Sequence, residues 1–187
     1  MTHKLLIFVS GTVLALGACG RKGNEGTVAG NGADANIAIA NDLAVSPLSA
    51  QGFANAAAAS DRFEVESSQL AAASASSAAV KRFANQMISA HTASTAKLKT
   101  ALAGISPAVT ADDTLSADQQ SALAALRGQK GAGFDSAYAQ AQVDAHQKTL
   151  DALKNYAATG DNAQLKSFAS GMIPTVTAHL NTAKGLQ

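Results

Sequence analysis

Val80-Lys81-Arg82-Phe83-Ala84-Asn85-Gln86-Met87-Ile88-Ser89-Ala90-His91 is the stretch from which the rest of the chain is read. Val80, Phe83, Ala84, Met87, Ile88 and His91 recur three and four residues apart, and Leu98 and Leu102 extend the stripe. That is the period of an amphipathic helix, with no strand-like alternation. The helix is predicted to begin near Ser77 and to end before Gly104 and Pro107.

The same period appears on both sides. A first helix is predicted from about Pro47 to Ala75, through Phe53, Ala57, Phe63 and Leu70. After a loop containing Asp112, Asp113 and Thr114, a short helix is predicted from Ser116 to Arg127; Ser116 caps it and Gln119 completes a capping box. Beyond Gly128, Gly131 and Gly133, a third long helix is predicted from Phe134 to about Ala158. Gly160 reads as its C-cap and Asp161 as the next N-cap. The last helix carries Leu165, Phe168, Met172, Val176, Leu180 and Ala183, with Pro174 inside it to remove one backbone hydrogen bond and bend it. Four amphipathic helices of about 25 residues predict an all-α, up-down four-helix bundle over residues 50–187. The short extra helix lies between the second and third long ones.

Composition agrees with close helix packing. The 187 residues allow one domain and a tail, and the 47% apolar share is dominated by alanine, with aromatics at 4% and no tryptophan. Alanine forms helices well and fills a core poorly, so the helices must approach closely. The net charge is +1, and loss of Lys4 with the leader would leave the chain near neutral. No basic, aromatic-interleaved stretch is present, which argues against nucleic-acid binding.

Residues 1–18 read as a signal peptide: His3 and Lys4, then an apolar run from Leu5 to Leu16 that is too short to span a bilayer. Leu16-Gly17-Ala18-Cys19 resembles the lipobox of bacterial lipoproteins, which makes Cys19 the expected site of lipidation. Cys19 is the chain's single cysteine, so neither an internal disulfide nor a thiol active site in the folded domain is expected. Gly20, where an aspartate would signal retention by resemblance to lipoprotein sorting rules, favours the outer membrane. One acyl chain holds a protein marginally, so a stable anchor implies multiple acylation, palmitate included. Residues 19–49, rich in Gly, Asn, Ala and Asp, read as a flexible tether reaching roughly 30 Å.

The apolar stripes carry a few polar residues. His91, His146 and His179 each fall on the inward face of a different long helix. Glu64 lies about 20° from Phe53, Ala57 and Ala71 on a helical wheel, whereas Glu66 points about 160° away from Glu64. One carboxylate and three imidazoles suit a first-row transition metal. A buried histidine can equally serve as a hydrogen-bonded core residue, and neither Glu-x-x-His nor His-x-x-x-His occurs here. Asp112 and Asp113 read as a solvated turn and Asp144 as exposed, and no phosphate-cradling loop or nucleophile elbow is present.

Phe53-Ala54-Asn55-Ala56-Ala57, Glu64-Val65, Val80-Lys81-Arg82-Phe83-Ala84, Met87 and His91 resemble the first half of a known bacterial family. Phe134-Asp135, Tyr138, His146, Leu165-Lys166-Ser167-Phe168-Ala169, Ile173-Pro174 and His179 resemble its second half. The family is the domain of unknown function 4142, whose members are outer-membrane or secreted ferritin-like bundles, and the resemblance covers about Gln51 to Lys184. It implies a fold and an envelope location, not an activity. It matches Glu64, His91, His146 and His179 to the family's acid and histidines, but puts Ala90 where an acidic residue is usual.

The leading expectation is a non-enzymatic, lipid-anchored bundle protein of the outer membrane, facing the periplasm. It is an interaction or stress-related module whose histidines form a structural polar layer. The alternative is a ferritin-like protein binding a transition-metal ion on Glu64, His91, His146 and His179. The membrane, through the lipid anchor, is the expected partner, and no protein partner is legible. Inner-membrane anchoring or secretion is the alternative location.

Overall fold

The computed structural model describes residues 49–187. The expected signal peptide, the acylated Cys19, and all of the tether but Ser49 lie outside the described residues. Five helices follow: α1 (Ala50–Ser74), α2 (Ala78–Leu102), α3 (Ala117–Arg127), α4 (Gly131–Thr159) and α5 (Ala163–Lys184). No strand occurs among the described residues, where the one β-like contact is a bridge between Ala75 and Gly131. None of their helices is long and apolar enough to cross a membrane.

Local chemistry explains most helix ends. Ser49 and Ser77 cap α1 and α2 by accepting from Gly52 N–H and from Ala79 and Val80 N–H. The Ser116–Gln119 capping box forms in both directions. Gly104, at φ +83°, stops α2 in the left-handed region that side chains avoid. Three boundaries differ from expectation. α1 starts at Ala50 rather than about Pro47, with Ser49 as its N-cap. α4 starts at Gly131, three residues before Phe134, because Phe134 N–H closes a first turn on the Lys130 carbonyl at 3.3 Å. Asn162, not Asp161, caps α5, accepting from Leu165 N–H at 3.1 Å. Asp161 is engaged elsewhere: its carboxylate accepts from Tyr156 Oη at 2.8 Å and Ala50 N–H at 3.2 Å.

The four long helices surround one interior, α1 packing on α2 and α4, and α5 on the same two. Ser60–Thr149 and Ser68–Tyr138 hydroxyl contacts, at 2.9 and 2.8 Å, show α1 and α4 antiparallel. Short turns make α1–α2 and α4–α5 antiparallel too. α2 and α4 therefore run the same way, and strict up-down alternation stops at α2. The long α2–α4 connection, with α3 in it, returns the chain to the other end and packs α3 against α1 and α4.

The interior is layered. One apolar cluster contains Phe53, Leu98, Leu153, Tyr156, Leu165 and Val176. The other contains Ala71, Phe83, Met87, Phe134, Tyr138 and Ala183. Each long helix passes from one cluster to the other through buried polar residues: Asp61, Glu64, Ser67 and Ser68 on α1, His91 and Ser94 on α2, Gln142 and His146 on α4, and His179 on α5. The bundle is an apolar–polar–apolar sandwich along its own axis.

Candidate metal centre

His91, His146 and His179 come from α2, α4 and α5 and meet inside the polar layer, at 4%, 1% and 5% exposure. Their rings form a near-equilateral triangle, with centroids 5.5 Å (His91–His146), 5.8 Å (His91–His179) and 5.5 Å (His146–His179) apart. One nitrogen from each ring lies within 4.8 Å of the other two. His91 and His146 share a height because both sit mid-helix.

Two of the rings are held from behind. His91 Nδ1 lies 2.8 Å from Asp61 Oδ1, and His146 Nδ1 lies 2.9 Å from the Gln142 carbonyl one turn earlier. Both partners are acceptors, so both Nδ1 atoms carry a proton and donate it, and in the neutral ring each Nε2 keeps a free lone pair. Nothing in the described residues satisfies those lone pairs. The six buried side-chain atoms without a hydrogen-bond partner there are Glu64 Oε1 and Oε2, His91 Nε2, His146 Nε2, His179 Nδ1 and Gln142 Oε1, and all belong to this layer. Buried polar groups in folded proteins are almost always paired, so six gathered in one layer need an explanation.

Protonation does not supply it. Burial and the neighbouring His91 charge hold His146 down to about 3 and His179 to about 4, so both are neutral at physiological pH. Burial also lowers His91, but the hydrogen bond to Asp61 and the charges of Glu64 and Asp61 outweigh it, and the net shift is upward. Glu64 is pushed up to about 7 by burial, against the opposing charge of His91.

The donor set fits a transition-metal ion. Three imidazoles with an open fourth position are a known zinc arrangement, and imidazole also suits copper, iron and nickel. Four-coordinate zinc sets neighbouring nitrogens about 3.4 Å apart, so an edge of 4.8 Å closes by roughly 1.4 Å around an ion. Ligating histidines usually give their other N–H to a carboxylate or a carbonyl, as His91 and His146 do here.

Of the expected ligand set, the structure brings the three histidines together but not Glu64. That carboxyl, at 1% exposure, lies on the Nδ1 side of His146 at 3.5 Å, behind the ring rather than within the triangle. Asp61, the carboxylate on His91, went unread in the sequence, although its place one helical turn before Glu64 was a signal. The acid beside His91 in this chain comes from α1. Asp112 and Asp113 are exposed as expected, Asp112 accepting from Thr114 N–H at 2.9 Å. A separate apolar groove of about 600 Å³ between α1, α3 and α4, walled by Phe53, Phe63, Leu126 and Leu153, is lined by none of the histidines.

Residues 35–186 match the family model described as Domain of unknown function (DUF4142), a match that begins inside the stretch read as a tether. No curated protein and no solved structure matches the chain.

Proposed function

The chain belongs to the DUF4142 family, and from that premise we propose that it is a lipid-anchored envelope protein whose helical bundle binds one transition-metal ion on His91, His146 and His179. The observation that carries this reading is the set of unpartnered nitrogens, His91 Nε2, His146 Nε2 and His179 Nδ1, in one buried layer. A bound cation would satisfy all three and give the buried Glu64 carboxyl a counter-charge. A purely structural polar layer accounts for the Asp61–His91 and Gln142–His146 bonds but leaves these nitrogens idle.

The direction of the helices supports a ferritin-like arrangement, because such bundles have one long crossover and here it lies between α2 and α4. The ligands differ from a di-iron site, which draws carboxylates from all four helices. Three histidines define a mononuclear centre. The role proposed is ion binding, and the apolar groove between α1, α3 and α4 is lined by none of the three histidines.

Anchoring through Cys19 rests on the lipobox resemblance and an outer-membrane location on Gly20. The decisive experiment is metal analysis of untagged protein. One equivalent of a first-row metal, lost in His146→Ala, is the expected result; wild-type protein that takes up no zinc, copper, iron or nickel refutes the proposal.

A further inference from the structure

We infer that Asp61 is a positioning residue for this centre, a carboxylate that locks the His91 ring and strengthens it as a ligand; the inference rests on the metal reading above. Asp61 is 5% exposed, a burial that carboxylates rarely tolerate without a cation. No lysine or arginine pairs with it among the described residues, and its ion-pair partner is His91.

Both of its oxygens are committed to the His91 segment. Oδ1 accepts from His91 Nδ1 at 2.8 Å, and Oδ2 accepts from Thr95 Oγ1 at 3.1 Å. Thr95 shares that single proton with the His91 carbonyl, 3.0 Å away on its own helix. Thr95 thereby fixes the carboxylate, which fixes the ring plane, and the ring plane aims Nε2 at His146 and His179. Two helices, α1 and α2, are coupled through this one imidazole.

The three ligands are consequently unequal. His91 is backed by an anion, His146 by a neutral carbonyl dipole, and the buried His179 Nδ1 has no hydrogen bond from the protein. A carboxylate behind an imidazole raises its basicity more than a carbonyl does. His91 is therefore the strongest donor of the set and Asp61 the residue that makes it so.

The test is titration of the untagged full chain with Co²⁺ and Zn²⁺, comparing wild type with Asp61→Ala, Asp61→Asn and Thr95→Val. Asp61→Ala is expected to weaken affinity by about 10–100-fold. Asp61→Asn keeps an acceptor for His91 without the charge, so it should lose less while still shifting the visible absorption of bound Co²⁺. Thr95→Val should give a smaller loss of the same kind. Asp61→Asn is nearly isosteric and keeps the test open if Asp61→Ala does not fold. Wild-type affinity and Co²⁺ spectrum in a folded Asp61→Asn, with only the melting temperature changed, would make Asp61 a structural residue and overturn the inference. A wild type that binds neither ion overturns the metal reading itself, and the inference with it.

Discussion

Asp135 on α4 accepts a hydrogen bond from the backbone N–H of Ser77, the N-cap of α2, at 2.8 Å. It also accepts from Ser76, through the backbone N–H at 3.0 Å and through the hydroxyl. One carboxylate thus ties the α1–α2 turn to a third helix and supplies acceptors for N–H groups that no helix satisfies.

Burial alone would raise the Asp135 pKa, but the hydrogen bonds from Ser76 and Ser77 outweigh it and hold the group below its ordinary value. A carboxylate depressed in the folded state contributes stability above its unfolded pKa and loses it as pH falls through the folded one. Asp135→Asn is therefore expected to lower stability at neutral pH by about 1 kcal/mol, the scale of a lost cap. The difference from wild type should shrink below about pH 4. Denaturant melts at pH 7 and pH 3 measure it; an equal gap at both would refute the electrostatic origin.

Metal should stabilise the fold through His91, His146 and His179. An ion at a hundred times its Kd, bound by the folded state alone, adds about 2.7 kcal/mol. For a domain of this size that raises Tm by several degrees, and His146→Ala should abolish the rise. A thermal melt with and without zinc decides it, and an identical Tm in wild type at saturating zinc would count against the centre.

How much of this the sequence discloses depends on what each feature needs. Helices with a clean three-and-four period, such as Val80 to His91, are legible from spacing alone, as is the inward facing of the three histidines. So is the common height of His91 and His146, which lie mid-helix and come level whichever way their helices run; the parallel run of α2 and α4 is not, because it depends on the path of a long connection. Asp61 sits beside Arg62 at the edge of the apolar stripe, where only its place one turn before Glu64 points inward. The displacement of Glu64 behind His146 is a matter of side-chain direction, to which periodicity is blind. Asp161 and Asn162 are adjacent capping residues, and the contact that occupies Asp161 comes from α1, more than a hundred residues earlier in the chain.

Gly160 is required by its neighbour. A Cβ there would come within 2.6 Å of the Tyr156 ring and of its carbonyl oxygen. The ring cannot yield, since it stacks on Phe53 with centroids 4.0 Å apart and its hydroxyl donates to Asp161 at 2.8 Å. Gly160→Ala should cost about 1–3 kcal/mol, the usual scale of overpacking. Tyr156→Ala should remove the ring's share of that cost in a double-mutant cycle while the carbonyl clash remains, and purely additive effects would disprove the clash with the ring.

Cys19 is testable in cells. If Leu16-Gly17-Ala18-Cys19 directs lipidation, a palmitate analogue should label wild type but not Cys19→Ala. Equal labelling of both proteins would remove the anchor from the proposal.

The three histidine variants rank the contacts of the polar layer without metal and separate its two readings with zinc. Removing His91 leaves Asp61 buried without its ion-pair partner, a defect of about 3–5 kcal/mol for a broken buried pair. Removing His179 deletes an imidazole whose Nδ1 has no partner, so a small cavity is created while an unsatisfied atom disappears. His146→Ala falls between, because the Gln142 carbonyl it releases keeps its place in the helix. The Asp61–His91 and Gln142–His146 bonds stand in either reading, so this order of losses, measured by chemical denaturation in the presence of chelator, is common to both. Zinc separates them. A centre built for an ion predicts that zinc raises the Tm of wild type and of none of the three variants, whereas a structural layer predicts no rise in any of them. No zinc response in wild type would return the histidines to a structural role.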